Sequence, residues 1–284
     1  MTGPVVVKLG GELVAKPRGL AGLATALARA ARDGASLVVV HGGGPQVSAL
    51  SERLGGRPVL VHGRRVTDAV ALEAVKLALA GKIRSEIVAA LQARGGRAVG
   101  VSGIDAGTLQ VRRRPVVAVP DGATVRRVDF GYVGDVHGVD SSLVRHLLRE
   151  GYLPVFAPLG ADRTGTILNV NADTVAAALA IALGAARLVV LTGVPGVYRD
   201  FPNRRGRERE LTVADAERFL ATGAAAGGMR PKLAACVAAV RGGVAEARIA
   251  SGRSARAVHG AVVGLAGAGT RVSMGGVDAP RVSE

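Results

Sequence analysis

Short apolar, β-branched runs alternate with longer Ala/Leu-rich stretches along most of the 284 residues. The short runs fall at 5–8, 36–41, 98–101, 153–157, 188–191 and 247–250, and several are continuously apolar. Runs of that kind suit strands buried on both faces of a parallel sheet. The longer stretches repeat apolar positions at helical spacing and predict helices over 20–32, 46–54, 68–93, 141–150, 174–183, 213–222 and 228–241. Asp140 and Asp173 stand where N-caps are expected. The alternation predicts an α/β fold, a three-layer αβα sandwich around a mostly parallel sheet. The segment 108–136 departs from it: strand-like, Arg-rich and broken by Pro120-Asp121-Gly122, it reads as projecting β-hairpins. The tail 273–284 has no periodicity and is expected to be disordered, and no internal repeat or long linker interrupts the chain.

Composition changes this picture little. Nearly half the residues are apolar, enough for a sizeable core, and the length fits one or two domains. Aromatics are 2% of the chain with no Trp, which argues against a nucleic-acid binder that stacks bases on aromatic side chains. The net charge is +15, yet only Lys8, Lys16, Lys76, Lys82 and Lys232 are lysines. An Arg, Ala and Gly excess of this kind reads first as compositional bias, and second as a positive field that gathers an acidic ligand or partner. Arg112, Arg113, Arg114, Arg126 and Arg127 do cluster, as solvated faces often do. The single Cys236 cannot form an internal disulfide, and Val5-Val6-Val7 is too short for a secretory core, so a cytoplasmic setting is expected. The apolar run 175–194 is broken by Gly184 and Arg187, and reads as helix, turn and strand rather than as a membrane span.

Ligand crevices of open α/β sheets form at the carboxyl ends of the strands, so residues that follow strands are the candidates for chemistry. Lys8 ends the first strand and Gly10-Gly11 follow, leaving backbone N–H groups accessible to an anion. A charged Lys8 should avoid a dry core and reach the crevice mouth. His41-Gly42-Gly43-Gly44-Pro45 follows the second strand and opens a helix, a second arrangement suited to negative charge. Neither loop is a Walker A sequence or a dinucleotide fingerprint. One Cys and scattered His residues assemble no zinc site. Arg64 and Arg65 precede a helix start, where either could hold a carboxylate in a bidentate pair. Alternation puts Asn169, Asn171 and Asp173 on one face of an extended segment, and Lys232 enters a helix just after the Gly227-Gly228 turn.

Taken in order, Lys8-Leu9-Gly10-Gly11, His41-Gly42-Gly43-Gly44-Pro45-Gln46, Gly63-Arg64-Arg65-Val66-Thr67, Asn169-Val170-Asn171-Ala172-Asp173 and Gly227-Gly228-Met229-Arg230-Pro231-Lys232 resemble the amino-acid kinase family. The resemblance spans roughly 5–272. It implies one amino-acid kinase domain over 1–272, with an acceptor lobe over about 1–165 and a nucleotide lobe over about 166–272. It implies transfer of a phosphoryl group from ATP, with Mg²⁺, to the side-chain carboxylate of N-acetyl-L-glutamate. A kinase acting on carrier-protein-bound L-2-aminoadipate or L-glutamate is the alternative, and the basic arm would suit an acidic carrier. Lys8 and Lys232 would flank the transferred group and Asp173 would orient both. Gly43 and Gly44 would give N–H donors, helped by Gly10 and Gly11, while Arg65 and Asn169 would hold the acceptor.

An already ionised carboxylate needs no general base, which agrees with the lack of a catalytic His or Glu. Three positions depart from the family pattern. Gly193 stands where an Asp is usual, Arg84 where an Asn is usual, and Ser102-Gly103-Ile104-Asp105 lacks the usual Lys before its Asp. Arginine-inhibited relatives carry an extra N-terminal helix. A first strand at Val5 leaves no room for one, so a homodimer insensitive to arginine is expected. No protein metal site, nucleic-acid partner or membrane partner is expected.

Overall fold

The computed structural model describes residues 3–275 except 122–123, 201–202, 204, 224 and 226. Its central sheet has eight strands: β1 (Val5–Leu9), β2 (Leu37–His41), β3 (Ala98–Ser102), β4 (Leu153–Ala157), β5 (Arg187–Thr192), β6 (Glu210–Thr212), β7 (Glu246–Ser251) and β8 (Thr270–Ser273). Their order across the sheet is β6-β8-β7-β5-β1-β2-β4-β3. All neighbours are parallel except β7 and β8, so β6 and β8 run against the other six. The six apolar runs all become strands of this sheet. β6 and β8 are too short and too polar to announce themselves, and they form one edge.

Successive side chains of a strand face opposite sides, and each side of this sheet has its own core. Val6, Val40, Leu188, Val190 and Ile249 pack toward the helices Ala172–Leu183 and Met229–Arg241. Val5, Val7, Val39, Val189 and Leu191 pack toward Pro17–Arg32, the helical stretch 69–92 and Ala255–Val263. Helices therefore cover both faces, as an all-apolar parallel strand demands. The Ala255–Val263 helix was not among the expected ones. Its apolar period is interrupted by Arg256 and His259, although Ser254 caps it by accepting from the Ala257 N–H.

Local chemistry adjusts several expected elements. The single helix expected over 68–93 starts at the Asp68 cap but carries a π-helical middle, Lys76–Ile83. Asp140 caps from one residue further out than expected: its Oδ1 accepts from Ser142 N–H at 2.9 Å while Ser141 holds the cap position. Asp173 is not a cap at all. Asn171 fills that position, its Oδ1 accepting from the N–H groups of Asp173 and Thr174 at 2.9 and 3.0 Å.

In the Arg-rich segment, Val117–Asp121 and Thr124–Val128 form the expected antiparallel hairpin, with Gly122 of its turn outside the described residues. The flanking strands Leu109–Arg113 and Val133–Val139 do not project as a second one. They close a small four-stranded barrel with Leu159–Ala161 and Ile167–Val170. Of the expected tail, Ser273 belongs to β8, and residues from 276 onward lie outside the described ones. Among the described residues, no helix is long and apolar enough to cross a membrane.

The end of the sheet opposite the glycine loops is tied by one buried carboxylate. Glu246 meets Arg187, Arg248 and Arg271. Arg187 also reaches the carbonyl of Val262, and Arg248 those of Gly264 and Leu265, so the cluster fastens the C-terminus of the last helix to β5 and β7. The Glu246 pKa is moved by burial, which raises it, and more strongly by hydrogen bonds and charge from Arg248 and Arg187, so it ends below the usual carboxylate range. A carboxylate of that kind contributes stability above its unfolded pKa, lost as pH falls through the lowered folded value. Replacing Glu246 by Ala strands buried guanidinium groups, and should lower stability by about 3–5 kcal/mol in urea melts at neutral pH. The difference from the parent protein should shrink in melts at acid pH.

Candidate active site

The carboxyl ends of β1 and β2 and the start of the Ala172–Leu183 helix enclose a cleft of about 290 Å³. β1 alternation puts Lys8 on the same face as Val6, and at the end of the strand it lines the cleft with only 4% of the residue exposed. A lone buried ammonium would be costly, and the structure meets it with an opposite charge. Asp173 Oδ1 lies 2.9 Å from Lys8 Nζ, and both side chains are more than 90% buried. Asp173 is available for this pairing because Asn171 has taken the helix cap.

Lys232 enters the cleft from the opposite helix, and its Nζ donates to the Gly228 carbonyl at 2.9 Å rather than to Asp173. Burial lowers its pKa, with the Lys8 charge adding to that, while Asp173 and Glu12 oppose the shift. Asp173 thus touches one lysine and acts on the other only through space.

The glycine loops owe their approach to missing side chains. A Cβ on Gly11 would lie 2.9 Å from Gly43 Cα and 3.0 Å from Gly43 N, a backbone clash with no flexible partner to yield. A Cβ on Gly43 would overlap the ends of Leu79 and Ile83, which the π-helical stretch holds beneath the loop. Gly44 opens the helix Gly44–Arg53, and its Cβ would meet nothing within 4 Å. The first N–H groups of a helix have no acceptor within it, and Gly44 lines the cleft, so its amide suits an anion there. Gly10 differs from the other three: its N–H donates to the Leu191 carbonyl at 3.1 Å, and it does not line the cleft.

The far end of the cleft is built by arginines. Arg65 Nη2 donates to the Gly44 carbonyl at 2.9 Å and to Ser48 Oγ at 2.6 Å, while its buried Nη1 has no partner among the described residues. Burial lowers the Arg65 pKa from a value so high that the group stays charged. Asn169 donates through Nδ2 to Thr67 Oγ1 at 3.1 Å, which fixes the amide at the cleft wall. Of the nine residues singled out from the sequence, Lys8, Gly11, Gly43, Gly44, Arg65, Asn169, Asp173 and Lys232 share the cleft.

Sequence reasoning missed Glu12 and Arg114, which also line it, and the buried Thr67 that holds Asn169. Arg114 pairs with Asp135 at 2.5 Å and comes from the Arg-rich segment that reads as a solvated face. Its backbone N–H donates to the Val133 carbonyl at 2.8 Å, and this cross-strand pairing carries it to the cleft wall. Arg64, left open beside Arg65, lines the cleft too. The lining therefore holds Lys8, Arg64, Arg65, Arg114 and Lys232 against Glu12 and Asp173, a site for a polyanion.

His41 sits under the glycine loop, fully buried. Its pKa is lowered to about 4, chiefly by burial and secondarily by Arg84, with a Gly42 carbonyl contact opposing. It stays neutral near pH 7 and reads as a packed floor rather than as a proton carrier.

Residues 3–251 match the model of the amino acid kinase family. An acetylglutamate kinase of Sorangium cellulosum is 48% identical over 86% of this chain and 85% of its own length. One from Myxococcus xanthus is 43% identical over 94% and 87%. Among solved structures, an N-acetylglutamate synthase from Neisseria gonorrhoeae complexed with coenzyme A and N-acetyl-glutamate superposes with a TM-score of 0.80 at 26% identity, over 96% of this chain. The chain spans 60% of the length of that synthase. A carbamate kinase from Giardia lamblia, at 17% identity and a TM-score of 0.67, shares the fold.

Two measurements check this geometry. Gly11→Ala should push the two glycine loops apart, and a displacement near 1 Å at such a site costs on the order of a hundredfold in kcat/KM. Turnover within a few-fold of the parent would contradict the contact. For His41, the folded pKa lies below the unfolded one, so its contribution to stability is present above about pH 6.5 and is lost as pH falls toward 4. Its imidazole resonances should not titrate above about pH 5 in an NMR series.

Proposed function

We infer that this chain, which belongs to the amino acid kinase family, transfers the terminal phosphoryl group of ATP to the side-chain carboxylate of N-acetyl-L-glutamate. The observation that carries this reading is a buried Lys8–Asp173 pair and Lys232 beside bare glycine amides, with the unpartnered Arg65 Nη1 in the same cleft. Relatives of 41–48% identity over most of the chain carry the name acetylglutamate kinase, which supports the choice of acceptor.

In the reaction an acceptor carboxylate oxygen forms a bond to the terminal phosphorus while the bond from that phosphorus to the bridging oxygen breaks. ADP departs with the electron pair, and no proton has to move. Charge spreads over the equatorial oxygens, so the protein's task is placement and fixed positive charge. Lys8 and Lys232 supply that charge from two elements, and Asp173 pairs with the Lys8 ammonium and holds it in place. The N–H groups of Gly11, Gly43 and Gly44 face the phosphoryl oxygens. Arg65 takes the α-carboxylate in a charge-assisted hydrogen bond, and Asn169 orients its neighbourhood. The acceptor lies toward the 1–165 lobe and the nucleotide toward 166–272.

Mg²⁺ fits as an ion carried by the nucleotide. Among the described residues, no cluster of His, Cys, Asp and Glu can hold a metal. Glu12 and Asp173 are the carboxylates lining the cleft, and Asp173 is engaged by Lys8. Mg²⁺ commonly binds through substrate phosphates with one or two carboxylates, and when bound it neutralises phosphate charge.

The protein works in the cytoplasm as a homodimer in this reading. Among the described residues β3 pairs only with β4 and so ends the sheet, and Leu77 lies 48% exposed on the neighbouring helical stretch. A carrier-bound acceptor is the second reading, favoured by a groove on the outer wall of the small barrel lined by Arg112, Arg113, His137 and Arg163.

Hydroxylamine trapping with ATP should yield a hydroxamate from free N-acetyl-L-glutamate. Product from carrier-linked substrate alone would reverse the two readings. Lys8→Ala should lower kcat by at least about a thousandfold in that assay, with the fold intact by circular dichroism. Sedimentation equilibrium should give twice the 28.7 kDa chain mass.

A further inference from the structure

We propose that Arg64 and Arg114 form a further anion subsite at the acceptor end of the cleft, which takes a carboxylate on the acceptor's N-acyl group; this rests on the kinase reading above. The activity it adds is phosphorylation of N-acyl-L-glutamates whose acyl chain ends in a carboxylate.

In the kinase reading, N-acetyl-L-glutamate brings a side-chain carboxylate to Lys8 and Lys232 and an α-carboxylate to Arg65 and Asn169. Its acylamino group is left with the remaining wall of the cleft, which Leu60, Arg64, Arg114 and Val133 line. An acetyl methyl gives a guanidinium group nothing to bind. A carboxylate at the end of the acyl chain accepts charge-assisted hydrogen bonds from both arginines.

The backbone separates the roles of the two neighbouring arginines. Val59–Val61 and Arg64–Val66 pair as an antiparallel hairpin, with Arg65 opposite Leu60 and Arg64 opposite Val61. Cross-strand partners share a face. Arg65 turns to the Gly44 carbonyl and Ser48. Arg64 stands on the Val61 face, and Val61 packs with Phe130 and Val133. Arg114 reaches the same place, since its N–H donates to the Val133 carbonyl and its guanidinium lies 5.5 Å from the centre of the Phe130 ring. The Arg114 side chain is only 11% exposed. Its Nε and Nη2 both donate to Asp135, which leaves Nη1 without a partner among the described residues.

Arg64 is exposed, but a second guanidinium on the same cleft wall sets it apart from a solvated surface arginine. Burial first, and then the Arg114 charge, lower the Arg64 pKa from a value so high that the group stays charged, with Asp135 opposing. Two arginines and one aspartate leave one net positive charge at this wall, which matches one carboxylate. An anion between the two guanidinium groups also relieves their mutual repulsion.

The test compares kcat/KM for N-succinyl-L-glutamate, its neutral succinamoyl isostere and N-acetyl-L-glutamate in the parent protein, Arg64→Leu and Asp135→Asn. The parent should favour the succinyl compound over the isostere by about tenfold, as one charge-assisted hydrogen bond would. Arg64→Leu should bring that ratio to about one, whereas Asp135→Asn, which frees Arg114, should raise it. A parent ratio within about twofold of one overturns the proposal, as does an unchanged ratio in a folded Arg64→Leu. If Arg64→Leu folds poorly, Asp135→Asn decides, and a ratio that fails to rise overturns the assignment. Turnover of a carrier-linked acceptor without turnover of the free succinyl compound also overturns it. A parent protein that phosphorylates none of these acceptors sinks the kinase reading itself. One that phosphorylates N-acetyl-L-glutamate but does not distinguish the succinyl compound from its isostere sinks only this subsite.

Discussion

The site depends on one buried ion pair. Lys8 is placed by strand alternation on an inner face of the sheet and reaches the cleft almost wholly buried. Removing either member of such a pair leaves an uncompensated charge, which costs far more than the pair contributes when both are present. The pair is therefore better understood as a positioning device than as a source of stability. It holds a cation at a fixed place in the cleft, largely buried, where its field is less screened than at the surface.

That device works because a second residue does a humbler job. A helix start needs an acceptor for its first N–H groups, and an Asp near the start would ordinarily serve. Here Asn171 caps the helix with a neutral amide, which leaves the Asp173 carboxylate to Lys8. The same division appears at the glycine loops. Gly10 and Gly42 spend their N–H groups on the strands beside them, at 3.1 and 2.9 Å, and so fix the loops. Gly11, Gly43 and Gly44 face the cleft. The π-helical stretch completes the support by holding Leu79 and Ile83 against Gly43, and any side chain there would collide with them. Helical irregularities of this type are frequent at functional sites.

The parallel core was legible because strands buried on both faces must be apolar throughout, and six such runs became β1, β2, β3, β4, β5 and β7. Strands β6 and β8 were not legible. They are held by pairing at an edge and by the Arg271–Glu246 contact, neither of which leaves a local pattern. Lys8, the glycine loops and Lys232 could be found because each follows or precedes a recognisable element. Glu12 and Arg114 could not, since one sits in a four-residue helical turn and the other reaches the cleft through a cross-strand pairing. The Asp173 role was half legible: its position was evident, but which of two neighbouring side chains would cap the helix was settled by geometry alone.

Charge operates here at two ranges that should be kept apart. The net charge of +15 describes the whole surface, is screened within about 10 Å at ordinary salt, and would draw in any anion. Selectivity has to come from cations whose positions are fixed. Lys8 is fixed by Asp173, Arg65 by the Gly44 carbonyl and Ser48, and Arg114 by Asp135. Each is tethered through part of its hydrogen-bonding capacity, and Arg65 keeps one nitrogen unspent. A tethered cation has already lost its side-chain entropy and meets its anion without rearrangement, which is how preorganised sites lower the barrier to charge transfer. The net charge gives the molecule its field, whereas the few cations fixed in the cleft give it its chemistry.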